Sequence, residues 1–380
     1  MLINKCRVCG GAIFKKPLLR YVKMPRSAQY LPDARSLKKD RGISLDVCQC
    51  EACGLVQLKN PPVPYYREVI RAVGVSREMR AFRKKQFAEF VKKYSLKNKK
   101  VVEIGCGRGD YLALMRQAGT DAYGLEYSLE SVRHCLKNGL KASRGFIRTG
   151  GSAGPIQAPF DAFFMLSFLE HLPDPNAALR GIHKHLREGG SGLVEVPNFD
   201  MILRDKLFSE FIPDHLLYFT GQTLRTALEL NGFAVIEMNE VWHDYIISAV
   251  VRKRPRTDLS GFRQQQAMIK GEIERYIRRF KEKRVAVWGA GHQALALLSL
   301  ANLSGKIKYV VDSAGFKQGK FTPATHIRIL SPEALKQDPV DAVIVMAASY
   351  SDEVARIIHK RFGRKIHIAI LREAGLETAD

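Results

Sequence analysis

Two stretches of this chain repeat one pattern, and the pattern limits what the chain can fold into. "KKVVEIGCGRGDYLALMRQAG" starts at Lys99 and "KRVAVWGAGHQALALLSLANL" at Lys283. Each is a short apolar run, then a glycine-rich turn, then an amphipathic stretch with helical spacing. Buried strand, tight turn and packed helix together make the repeating unit of an α/β sheet. The chain has 380 residues, more than one ordinary core accommodates, so two or three domains are expected.

The next strands sharpen the reading. "DAYGLEYS" ends in Glu126, at the separation suited to a carboxylate that accepts two ribose hydroxyls. In the second copy Gly289, Gly291 and Ala294 match Gly-x-Gly-x-x-Ala, and Asp312 closes the strand "IKYVVD". The first loop instead reads Gly-x-Gly-x-Gly, from Gly105 through Gly107 to Gly109, which lets a backbone pass close beneath a ligand and opens a helix. A dinucleotide enzyme prefers the other spacing, because the pyrophosphate needs the helix N-terminus close by. Residues 284–380 suffice for half of a doubly wound sheet, which binds one nucleotide or none.

Cysteines mark the other end. Five of the seven fall in the first 53 residues, and four form the knuckles "CRVCG" and "CEACG". Cys6, Cys9, Cys50 and Cys53 are the expected ligands of a closed, structural zinc ion, with Cys48 as a spare. Disulfides are disfavoured in a reducing compartment. The N-terminus lacks the basic-then-apolar pattern of a signal peptide, and no apolar run reaches the roughly 18 residues of a membrane helix. A cytoplasmic protein with no membrane partner is the expectation.

Charge is unevenly spread. Residues 1–100 carry 24 basic and 7 acidic side chains and residues 251–380 carry 24 and 13, whereas residues 101–250 carry 13 and 18. Basic flanks suit an anion: nucleic acid, an acidic membrane surface or a phosphorylated small molecule. Nucleic acid is disfavoured, since aromatic residues are not interleaved with the basic ones as a stacking platform. The helical stretch "REMRAFRKKQFAEFVKKY" is expected to pack Met79, Phe82, Phe87, Phe90, Val91 and Tyr94, with its basic residues as the solvated face.

Taken together, "VVEIGCGRGDYL", Glu126, "FLEHLPDP" and "LREGGSGLVEVPN" resemble a class I S-adenosylmethionine-dependent methyltransferase over about 150 residues. The resemblance implies that Glu103 and the Gly105–Gly109 loop hold the amino-acid end of the cofactor. It also implies that Glu126 holds the ribose, and that Leu166 and Ser167 lie near the sulfonium. No acidic adenine contact is evident in "KASRGFIRTGGSAGPIQAP", so that pocket stays unassigned.

The whole order resembles the three-domain sugar C-methyltransferases. It runs as a zinc-binding module (1–60), a basic helical connector (61–98), a Rossmann-like methyltransferase core (99–253), a linker and helix (254–283), and a small Rossmann-like α/β domain (284–380). The tail "DSAGFKQGKFTPATHIRILSPEAL" looks like the end domain of that family. A nucleotide-linked keto-sugar is the implied substrate, with Gly289, Gly291 and His292 at its phosphates.

C-methylation beside a ketone needs a base to lift a carbon-bound proton and a group to stabilise the enolate oxygen. In the resembled family a tyrosine precedes a glutamate–histidine pair; here the positions are Ile212, Asp214 and His215. His215 is the expected base, with Asp214 orienting its imidazole. His171 is the second candidate, against a loop-ordering role. Tyr218, Tyr65 or Tyr66 are expected to replace the missing tyrosine. O- or N-methylation of a sugar or small metabolite on the same scaffold is the alternative, and a nucleic-acid methyltransferase a more distant one.

Overall fold

A computed structural model describes residues 3–29, 31–68, 75–148, 151–153, 158–282 and 284–379. The chain divides into two compact units, Met1–Pro255 and Arg256–Asp380. The expected cysteine module and core thus share one unit.

The first unit is built on a seven-stranded sheet. From one edge to the other the strands are Phe233–Val241, Ile246–Lys253, Leu186–Pro197, Phe160–Leu166, Lys100–Ile104, Asp121–Glu126 and Lys141–Arg144. The last five run parallel, and Ile246–Lys253 is reversed between its neighbours. Helices on both faces exclude water from the middle strands, so Phe163, Phe164 and Met165 are fully buried. Each such side chain contributes about 1.5–3 kcal/mol relative to exposure. The strand Leu186–Pro197 carries a register shift between Leu186 and Ser191, across "REGG". Helix starts are capped as their sequences suggest: Ser76 accepts Met79 N–H, and Asp174 accepts Ala177 N–H ahead of Pro175.

A second sheet in the same unit joins regions far apart in the chain. Leu19–Met24, Ile43–Gln49 and Val56–Leu58 form an antiparallel meander, and Leu217–Tyr218 adds a fourth strand beside Val56–Leu58. The cysteine module is therefore built into the core rather than tethered to it. The Arg7 guanidinium donates to the carbonyls of Asn60 and Pro173, and Asn176 donates to the Arg7 and Val8 carbonyls.

The helix Arg77–Lys93 carries one correction. Arg83 is not on the solvated face: it is 2% exposed and ion-paired with the fully buried Glu195, which Gln86 also approaches. Removing one partner of such a pair costs about 3–5 kcal/mol.

The second unit holds a six-stranded sheet in the order Ile329–Leu330, Val310–Val311, Val285–Trp288, Ala342–Val345, His367–Arg372, Gly375–Thr378. All but the last pair are parallel, giving one half of a doubly wound sheet. Among the described residues no helix is long and apolar enough to cross a membrane.

Candidate active site

The first glycine loop leaves the strand Lys100–Ile104 with Gly105, Gly107 and Gly109 at φ of 76°, 53° and 86°. A Cβ on Gly109 would lie 2.6 Å from Leu140 Cδ1, so both backbone and space demand glycine there. The helix Asp110–Gln117 starts at Gly109. Glu126, buried at the tip of the next strand, accepts Gly107 N–H at 2.9 Å through Oε2 and Ser128 N–H at 2.8 Å through Oε1. A carboxylate oxygen accepts more than one bond, so this anchor is compatible with two ribose hydroxyls. Glu103 is buried in the strand that leads into the loop. These residues fit the cofactor.

No adenine contact was legible in the sequence. A small cavity beside the first glycine loop is lined by Gly105, Tyr127, Phe146 and Arg67, among others. The Arg67 guanidinium lies 5.2–5.5 Å from the ring centres of Tyr66, Tyr127 and Phe146. Tyr127, the aromatic directly after Glu126, is the sequence signal that marks this cavity.

A larger cavity of about 410 Å³ opens beside Leu166 and Ser167. Ser167 holds a left-handed φ of 47° and donates its N–H to Glu195 O at 2.9 Å. Tyr65, Tyr66, Glu170, His171, Asp214 and His215 line the same space. Leu216 N–H donates to Glu170 O, tying the 211–216 loop to the end of the strand Phe160–Leu166. The two histidines meet edge to face, with ring centres 4.7 Å apart.

The roles within this cluster differ from expectation. The Asp214 carboxylate does not orient His215. Its Oδ1 accepts the Tyr65 hydroxyl at 2.6 Å and its Oδ2 accepts Ala28 N–H at 2.8 Å. The Asp214 backbone oxygen, 2.8 Å from His171 Nδ1, orients the other histidine. A carbonyl only accepts, so Nδ1 carries the proton and the Nε2 lone pair is available. Burial lowers the pKa of His171, opposed by the Asp214 backbone oxygen. Burial pushes His215 further, down to about 3, with a smaller contribution from His171.

Tyr218 is a packing residue, not a cavity residue. It is 4% exposed among Phe199 and Phe211, and its hydroxyl bonds the backbone of Ile212. Tyr65 takes the place expected for one of the three tyrosines: it lines the cavity and is held by Asp214. Burial and the Asp214 acceptor together raise its pKa. Sequence reasoning also passed over Glu170. Its carboxyl is 1% exposed, and burial pushes it up to about 8.

The cysteine knuckles meet as expected. The Cys6 and Cys53 sulfurs are 3.6 Å apart and those of Cys9 and Cys50 3.4 Å, with all four within 4.8 Å of one another. A tetrahedral zinc at 2.3 Å sets its sulfurs about 3.8 Å apart, so the donors fit that ion. Val8, Cys9, Gly11 and Cys53 aim backbone N–H groups at these sulfurs. Cys48 is buried outside the cluster.

In the second unit Gly289 has φ 126°, and a Cβ there would lie 2.5 Å from Met346 O. Gly291 caps the helix His292–Leu300 with an ordinary φ of −81°, and His292 is exposed at its first turn.

Comparison with known proteins agrees with this geometry. The methyltransferase domain family matches residues 77–238, and the C-methyltransferase C-terminal domain family matches residues 254–368. C-methyltransferase NovU of Streptomyces niveus is 24% identical, across 93% of this chain and 91% of that protein. The chain belongs to the S-adenosylmethionine-dependent methyltransferases. A ubiquinone biosynthesis O-methyltransferase of Stutzerimonas stutzeri (strain A1501) is 35% identical over 25% of this methyltransferase, which spans 43% of that relative's length. Among solved structures, an S-adenosylmethionine-dependent methyltransferase from Clostridium acetobutylicum ATCC 824 is 11% identical, covering 48% of this chain and 93% of its own at a TM-score of 0.38.

Proposed function

We propose that this methyltransferase methylates a nucleotide-linked keto-sugar at the carbon beside its carbonyl, with a structural zinc held by Cys6, Cys9, Cys50 and Cys53. One observation carries the reading: a single cavity is lined both by Leu166 and Ser167, the residues assigned to the cofactor's reactive end, and by an oriented imidazole, His171. S-adenosylmethionine, when bound, supplies an electrophilic methyl group on its sulfonium. Glu103 and the Gly105–Gly109 loop hold its amino-acid end, Glu126 its ribose, and Tyr127 and Phe146 its adenine. His171 Nε2 takes the proton from the sugar carbon, which transfers the expected base role from His215 to its neighbour. Tyr65, fixed by Asp214, positions the sugar, and His215 packs against His171. The basic second unit receives the nucleotide diphosphate, with Gly289, Gly291 and His292 at its phosphates.

O-methylation is the second reading, favoured by the O-methyltransferase likeness. The test is incubation with S-adenosylmethionine and a panel of nucleotide keto-sugars, read by mass. The same sugars in deuterated solvent without methyl donor distinguish the two readings, because only C-methylation exchanges a carbon-bound proton. His171→Asn is expected to lower turnover about 10²–10⁴-fold, the scale of a lost general base. The absence of both proton exchange and methyl transfer to carbon would overturn the C-methylation reading. Metal analysis after denaturation should return one zinc per chain, lost when Cys9 and Cys50 are both replaced by serine.

A further inference from the structure

Loss of a base is only half of the chemistry; the developing enolate oxygen also needs a donor. The resembled family's tyrosine position is Ile212 here, Tyr218 is turned to the Ile212 backbone, and the Tyr65 hydroxyl is committed to Asp214. Glu170 remains. Among the described residues neither of its carboxyl oxygens has a hydrogen-bond partner, although both are shielded from water. A buried polar group with no partner calls for an explanation, because an unsatisfied carboxyl costs stability. Glu170 lines the same cavity as His171 and His215, and its Oε1 lies 3.7 Å from His171 Nε2.

We propose that Glu170 is a catalytic acid group, which keeps its proton and donates that O–H to the enolate oxygen of the keto-sugar. The inference rests on the keto-sugar reading above. Proton and charge balance within the cavity. The carbon-bound proton passes to His171 Nε2, the C–H electron pair becomes the new C=C bond, and the carbonyl π pair moves onto oxygen as the enolate forms. The Glu170 hydroxyl then meets that oxygen without giving up its proton. Burial holds the carboxyl neutral up to about pH 8, and a neutral acid in an apolar site is an effective donor to an oxyanion. The groups that face it are His171 beside it in sequence, Asp214 and His215 on the 211–216 loop, and Tyr245, whose hydroxyl donates to Glu210. Arg83 and Glu68 line the same cavity; the Arg83 guanidinium is the permanent cation among these described residues and is paired with Glu195.

Two variants test the assignment on the full-length protein. Glu170→Ala should lower turnover about 10²–10³-fold, the scale of one lost oxyanion donor, while S-adenosylmethionine affinity and the thermal midpoint hold. Glu170→Gln keeps the shape and an N–H donor but has no proton to lose. It should retain more turnover than Glu170→Ala and lose the fall in rate that wild type shows as pH rises through about 8. If the alanine variant fails to fold, the pH profile of the glutamine variant decides. Undiminished turnover in Glu170→Ala, or an unchanged alkaline fall in Glu170→Gln, overturns the assignment. So does a second divalent ion per chain that vanishes in Glu170→Gln, since Glu170, His171 and His215 offer ligand atoms within 4.8 Å of one another. Deuterium exchange in the wild type separates the two levels. Its absence removes the keto-sugar reading and this role with it, whereas its full retention in Glu170→Ala removes this role alone.

Discussion

The two glycine loops are organised alike and equipped differently. In the first unit the Glu126 carboxylate accepts backbone N–H bonds from Gly107 and Ser128; in the second, Asp312 accepts them from Ala290 and Ala314. A carboxylate at the tip of the second strand thus ties down the loop after the first in both. In the second unit, however, the Lys317 ammonium also sits 3.0 Å from Asp312 Oδ2. Burial raises the Asp312 pKa, but the Ala314 N–H and Lys317 outweigh it and hold the group below its ordinary value. Lone pairs that would meet a ribose diol are engaged by the protein itself. Gly-x-Gly-x-x-Ala with a following aspartate reads as a dinucleotide fingerprint, and here the aspartate is paired with Lys317.

That contrast can be broken by substitution. Glu126→Ala should weaken S-adenosylmethionine binding about 10²–10⁴-fold by calorimetry, since two charged hydrogen bonds at about 1.5–3 kcal/mol each are lost. Asp312→Ala should leave that affinity unchanged; an equal loss in both variants would erase the difference between the loops. Gly289→Ala comes next. The added Cβ meets a backbone oxygen at 2.5 Å with φ at 126°, so destabilisation of about 3 kcal/mol in urea titration is expected. Gly109→Ala meets the movable end of Leu140 instead and should cost less.

Lys317→Ala is a smaller perturbation. The pair is partly exposed, so less than about 1 kcal/mol of stability should be lost, and nicotinamide dinucleotides should still not bind. Gly291→Ala is the mildest. With φ −81° and no atom within 4 Å of its Cβ, stability should stay within about 0.5 kcal/mol. A raised KM for the nucleotide sugar in that variant would assign Gly291 to the ligand; an unchanged KM would leave it a plain helix start.

Much of the scaffold was legible because its signals are local. Strand, glycine turn and helix lie within some twenty residues, and the Cys-x-x-Cys spacing aims two thiols at one point. The active-site cluster was less legible because its bonds span the chain. Tyr65 and Asp214 are 149 residues apart, Arg83 and Glu195 112. Adjacency suggested that Asp214 serves His215, but the backbone turns the carboxylate toward Tyr65 and lends only its carbonyl to His171. Glu170 offered one faint signal, a carboxylate at the end of an apolar strand. Nothing local shows that its partners are missing.

The sequence by itself determined the two α/β sheets, the four-cysteine cluster and the first glycine loop with Glu126 at its side. Each of these follows from short-range periodicity, from the φ values only glycine adopts readily, or from ligand spacing. Tertiary structure alone decided which histidine is oriented, which tyrosine the Asp214 carboxylate holds and which carboxyl is buried without a partner among the described residues. Those outcomes depend on the strand Leu217–Tyr218 joining Val56–Leu58, which brings the 211–216 loop to the end of the strand Phe160–Leu166. Desolvation at that junction sets the acid–base character of the site, and desolvation is a property of the packed molecule.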